Sequence, residues 1–140
     1  MIGAFLFATL AGAATGGCAD HWKLDLNAES FANNGAGRTF DSAELKNLQA
    51  KLETQLKVAA ADACKSGSLK VAKARAVDRV EVLSASGASE PHFYVGSGRT
   101  LQLEWVFAEE NLAIPPRATL VGALTCWSQP DNPACADEGD

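Results

Sequence analysis

Apolar and polar positions change period several times along the chain, and each change marks an element. In His21-Trp-Lys-Leu-Asp-Leu-Asn27, Trp22, Leu24 and Leu26 alternate with Lys23 and Asp25, the two-residue period of a half-buried strand. Leu45, Leu48, Leu52, Leu56, Ala59 and Ala63 then recur at steps of three and four, forming one apolar stripe with Lys46, Glu53, Lys57 and Asp62 outside it. Asp41 with Glu44 is a capping-box pair and Gly67 a C-terminal stop, so the spacing predicts an amphipathic helix over about 41–65. Its stripe is read as core packing against a sheet.

Beyond the helix the pattern predicts strands. Ser68 to Leu83 is Val-rich and ends in an alternating Arg79-Val-Glu-Val82. Pro91 to Val95 and the alternating Thr100 to Phe107 are separated by Gly96-Ser-Gly98, a hairpin turn by composition. In the second of these, Leu101, Leu103, Trp105 and Phe107 share the buried face. Pro115-Pro116 stops what precedes it, and the largely apolar Ala118 to Trp127 reads as a last strand, interior or against the helix. Ala32 to Gly37 and Ser84 to Ser89 read as loops. The expected fold is α+β: a mostly antiparallel sheet of four to five strands, in β-α-β-β-β order, covered on one face by one long helix. That domain is expected over residues 20–128, between a leader (1–19) and an acidic tail (129–140).

The first residues change the picture of where the chain works. Residues 1–17 carry no charge, and the apolar run from Ile2 to Ala14 has the length of a secretory h-region, shorter than a membrane span. The small residues before Cys18 resemble the processing site of bacterial lipoproteins, with Thr15 where that motif ordinarily has Leu. Cleavage after Ala13 or Ala19 is the ordinary signal-peptidase alternative. An exported protein is expected, periplasmic or lipid-anchored through Cys18 in the bacterial cell envelope.

Four cysteines, at 18, 64, 126 and 135, contain no Cys-x-x-Cys pair, which argues against zinc and thioredoxin-like chemistry. Cys126 and Cys135 bracket a turn-prone Trp127-Ser-Gln-Pro-Asp-Asn-Pro-Ala134 and are expected to bond. Cys64 is left free, or paired with Cys18 if that residue carries no lipid.

Twelve Lys and Arg against seventeen Asp and Glu leave a net charge of −5, a poor balance for neutralising phosphates, so no nucleic-acid partner is expected. Four of the acids stand in the tail. Lys65, Lys70, Lys73, Arg75 and Arg79 form a basic run broken only by Asp78. On an extended strand Lys73, Arg75 and Arg79 share a face that could meet an anionic surface or simply guard a sheet edge. With Trp127 these residues are the candidate partner or anion contacts.

Catalytic candidates are thin. Ser97 with His92, oriented by Glu90, lies in a strand–turn–strand setting and not at a nucleophile elbow. Glu109 and Glu110 are adjacent, which does not set an acid opposite a base. Cys18-x-x-His21 has no second ligand pair of matching spacing. No catalytic, cofactor or metal residues are assigned. The pattern resembles many small bacterial exported proteins of unassigned function, and that resemblance transfers no site residue. The expected function is non-enzymatic contact with another cell-envelope protein. The alternative is a periplasmic inhibitor or ligand-binding module presenting the Cys126–Cys135 loop.

Overall fold

The structure, a computed structural model, describes residues 17–33, 39–85, 90–107 and 113–135. The leader over 1–16, most of the Ala32 to Gly37 and Ser84 to Ser89 loops, Glu109 and Glu110, and the tail from 136 lie outside the described residues. The elements run β1 (Lys23–Leu26), α1 (Ala28–Ala32), α2 (Ser42–Lys65), α3 (Val71–Arg75), β2 (Arg79–Ser84), β3 (His92–Val95), β4 (Thr100–Trp105) and α4 (Arg117–Ser128).

The long helix forms where its signals lie. Asp41 accepts from the Glu44 amide at 2.8 Å and the Glu44 side chain accepts from the Asp41 amide at 3.1 Å, so the first turn is closed from both sides. Leu48, Leu52, Leu56, Ala59 and Ala63 are buried in the core and Leu45 packs at its edge. Gly67, just past the C-cap Ser66, takes φ +83°, and its amide bonds the Cys64 carbonyl to end the helix.

The fold is mixed α+β, but the expected sheet is corrected in three respects. It has four strands, in the order β1-β2-β4-β3, and it is mostly parallel: β1 with β2 and β2 with β4 are parallel, and only β3 with β4 is antiparallel. The helices between β1 and β2 return the chain to the end where β1 began, which makes β2 run the same way. The β3–β4 hairpin then slots β4 beside β2, leaving β3 outermost.

Second, the segment read as the last strand is α4. Its buried residues are Leu120, Leu124 and Ser128, a period of four, and the Thr125 hydroxyl donates to the Val121 carbonyl one turn back. An apolar run of this length suits a buried strand or a buried helix equally, and packing against α2 and β3 decides for the helix. Third, Ser68 to Asp78 is not extended. It holds the one-turn helix α3, so Lys73 and Arg75 sit on a helix while Arg79 opens β2, and the three do not share a strand face.

Among the described residues the buried strand positions all lie on one side of the sheet. Trp22, Leu24, Val80, Val82, Leu101, Leu103 and Phe93 face α2 and α4, which pack side by side beneath it. The indole of Trp22 donates to the Ala74 carbonyl at 2.9 Å, pinning α3 to the entry of β1. Phe31 on α1 meets Phe40 and Phe107, each at 5.6 Å between ring centroids, closing the core. Two disulfides complete the framework, Cys18–Cys64 and Cys126–Cys135.

Candidate functional site

The residues singled out in the sequence separate into three places. Lys70 meets Ser128 and Lys73 meets Trp127 where α3 touches the end of α4. The Lys70 amide donates to the Ser128 hydroxyl at 3.0 Å, and the Lys73 ammonium donates to the Trp127 carbonyl at 3.1 Å while lying 5.4 Å from that ring's centroid. Gln129 donates to the Gly67 and Ser68 carbonyls, both at 3.0 Å. Trp127 packs half-buried against the core and the Gln129 side chain ties back to the turn after α2, so both hold the helix ends together, with Cys126–Cys135 closing the turn behind them.

Arg75 borders a second place, an open groove of about 990 Å³ that also touches the Cys18–Cys64 bridge, His21, Lys57 and Lys65. Asp20 and Asp62 border it too, so its charge is mixed. Asp62 is held by Arg117, His21 bonds the Val77 carbonyl at 2.8 Å, and Asp20 accepts from the Gly17 amide at 3.0 Å. These groups are engaged internally and do not converge on a point in the groove. Among the described residues no group of three His, Cys, Asp or Glu is placed to hold a metal ion.

Cys18 joins Cys64 across 6.6 Å between Cα atoms. A lipid linked through the Cys18 sulfur and this disulfide exclude one another chemically. Ser97 lies in the turn beyond the end of β3, and His92 Nδ1 stands 3.1 Å from the backbone carbonyl of Glu90, not from its carboxylate.

Arg79 belongs to the third place, the face of the sheet left uncovered among the described residues. Strand register sets Lys23, Arg79 and Thr100 in one row across β1, β2 and β4, and Asp25, Glu81, Gln102 and Tyr94 in the next across all four strands. Leu83, Glu104 and His92 form a third. None of these side chains is buried. Neighbouring strands are about 4.8 Å apart, so Asp25 and Glu81 bring two carboxylates side by side. Each is compensated separately. Arg79 donates through Nε to Asp25 at 2.8 Å, whereas Asn27 and Gln102 donate one bond to each oxygen of Glu81, at 2.7 and 2.9 Å. These two amide donors, Asn27 first, hold the Glu81 carboxyl below the usual glutamate range against the opposing effect of partial burial.

At the outer side Tyr94 stacks on His92, 6.0 Å between centroids and 22° between planes, and is itself exposed. At the lower rim Arg99 donates through Nε to Asp78 at 2.6 Å, which lowers the Asp78 pKa and raises that of Arg99. The surface is thus a row of polar groups held by hydrogen bonds and ion pairs to their neighbours.

Of these residues the sequence singles out Arg79, as a contact candidate, and His92, as a catalytic one. The signal for the others was present: Asp25, Glu81 and Gln102 occupy the polar positions of three alternating strands, but only register shows that they form one row. Comparison with protein-family models, with curated proteins and with solved structures finds no match.

Proposed function

We propose that this chain is an exported, non-enzymatic binding protein of the cell envelope that docks another envelope protein on the uncovered face of its sheet. One observation carries the reading. Parallel strands are ordinarily covered on both faces, yet among the described residues β1, β2 and β4 have helices on one face only, and the other face presents an ordered polar row. The ionised Glu81, fixed by Asn27 and Gln102 with lone pairs left over, suits a partner that brings a Lys or Arg to it. Two disulfides fit an oxidising compartment, and the uncharged first 17 residues fit a secretory leader. With Cys18 bonded to Cys64, the reading takes the soluble periplasmic form over the lipid-anchored one. The internal contacts of Trp127 and Gln129 weigh against the alternative of a presented inhibitory loop.

The test is a photo-crosslinking residue at Gln102, with one at the exposed Lys51 on α2 as control, in cells of the native host. Mass spectrometry of the same material reports the mature N-terminus and the disulfides. The expected result is one envelope protein captured from Gln102 and not from Lys51. That protein, purified, should then bind the wild-type chain at least about tenfold more tightly than Glu81→Lys. Equal capture from both positions, or equal binding by Glu81→Lys, would remove the reading.

A further inference from the structure

The two edges of the sheet are not equivalent. On β1, the outward Leu24 carbonyl accepts from the Gln49 side chain of α2 at 2.8 Å, and Lys23 and Asp25 put charges along the strand. That edge is closed in the ways proteins ordinarily protect an edge. On β3 the sequence is His-Phe-Tyr-Val, with no Lys, Asp, Glu, Arg or Pro. Its Tyr94 and Val95 are the most exposed large hydrophobic side chains among the described residues, Val95 at 77%.

The backbone of β3 shows which groups look outward. The Gly96 amide donates to the Thr100 carbonyl at 2.8 Å, and hydrogen-bonded positions alternate along an antiparallel pair. His92 and Tyr94 therefore direct their amides and carbonyls at β4, and Phe93 and Val95 direct theirs at the free edge. Among the described residues nothing bonds those outward groups.

We infer that β3 pairs with β3 of a second copy of this chain, joining two four-stranded sheets into one. A two-fold axis through the edge makes the added strand antiparallel by symmetry, so one uncharged strand serves both partners and meets no like charge. The register follows from the free groups. Phe93 opposite Val95 of the second copy uses every outward amide and carbonyl of the strand and sets the exposed valine against an aromatic ring. Tyr94 then lies on the axis, opposite its own copy. A register one pair earlier would place Pro91, which has no amide hydrogen, opposite Val95.

Beneath the edge, a groove of about 650 Å³ bordered by Pro91, Trp105, Thr119, Gly122 and Ala123 has Glu90 as its one charged lining residue among the described residues. The pairing puts the two copies of Glu90 at opposite ends of the new ladder, so these carboxylates do not face one another across the axis. The inference stands on the edge and is independent of the docking reading. If both hold, the axis is perpendicular to the sheet and the two uncovered faces share one side of the dimer.

Sedimentation equilibrium of the oxidised chain up to about 100 μM, the range of small interfaces, is the first measurement. Wild type should approach twice the monomer mass, and Val95→Lys, a change at an exposed site, should weaken association at least about tenfold. Tyr94→Cys supplies a second arm. A non-hydrogen-bonded pair on the axis has its Cα atoms about 4.5 Å apart, within disulfide range, so this variant should form a covalent dimer under oxidation while Lys23→Cys stays monomeric. A wild type that remains monomeric, a Val95→Lys that associates unchanged, or a Tyr94→Cys that does not cross-link would each overturn the inference.

Discussion

A single side chain on the uncovered face shows how local bonding becomes pH dependence. Both oxygens of Glu81 accept bonds that exist only when the strands are in register, from Asn27 beyond β1 and from Gln102 on β4. Its folded pKa is therefore depressed below the ordinary 4.5. A depressed carboxyl contributes stability that is fully present above the unfolded pKa and is lost as pH falls through the folded one. Solvent screening at this surface keeps the contribution below about 1 kcal/mol. Glu81→Gln should melt slightly below wild type at pH 7, and the gap should close as pH falls from about 4.5 toward 3. Thermal melts of both proteins at the two pH values measure it, and a gap that stays constant with pH would contradict the assignment.

At the scale of elements, what the sequence reveals depends on whether a signal is local. The start of α2 is local, because Asp41 and Glu44 satisfy each other's amides whatever the rest of the chain does. Asp41→Ala should accordingly cost about 1 kcal/mol in urea unfolding, with an unchanged dependence on denaturant. The β3–β4 hairpin is local as well, since Gly98 takes φ +64° in the turn between the strands. By contrast, α4 was hidden. Thr119, Val121, Gly122 and Thr125 favour neither a long helix nor an end to a strand, and only α2 and β3 packing on Leu120 and Leu124 settle the matter. The parallel pairing was readable in principle, because a long helix between two strands implies a crossover. The row from Asp25 to Tyr94 was not, because it joins four strands whose register no local pattern specifies. The basic run dissolved for the same reason: Lys73 turns to Trp127, Arg75 to the groove and Arg79 to Asp25.

Across the whole molecule the two disulfides act at different ranges. Cys126–Cys135 spans nine positions and closes only the turn after α4, whereas Cys18–Cys64 spans 46 and ties the segment entering β1 to the end of α2. Between those ends lie β1, α1 and most of α2, so the long bridge limits the unfolded chain far more. In the chain-entropy description the short loop contributes about 2.7 kcal/mol and the long one about 4. Packing reinforces the asymmetry. Ala19 and Trp22, immediately after Cys18, are buried, so the bridge also secures the first residues of the core. Replacing Cys18 and Cys64 together by Ala should therefore lower the urea midpoint more than replacing Cys126 and Cys135. Reductant should then have less further effect on the first variant than on the second. If the order were reversed, the C-terminal turn would be the principal clamp of the fold, and the segment from Cys18 to Trp22 would owe its place to packing alone.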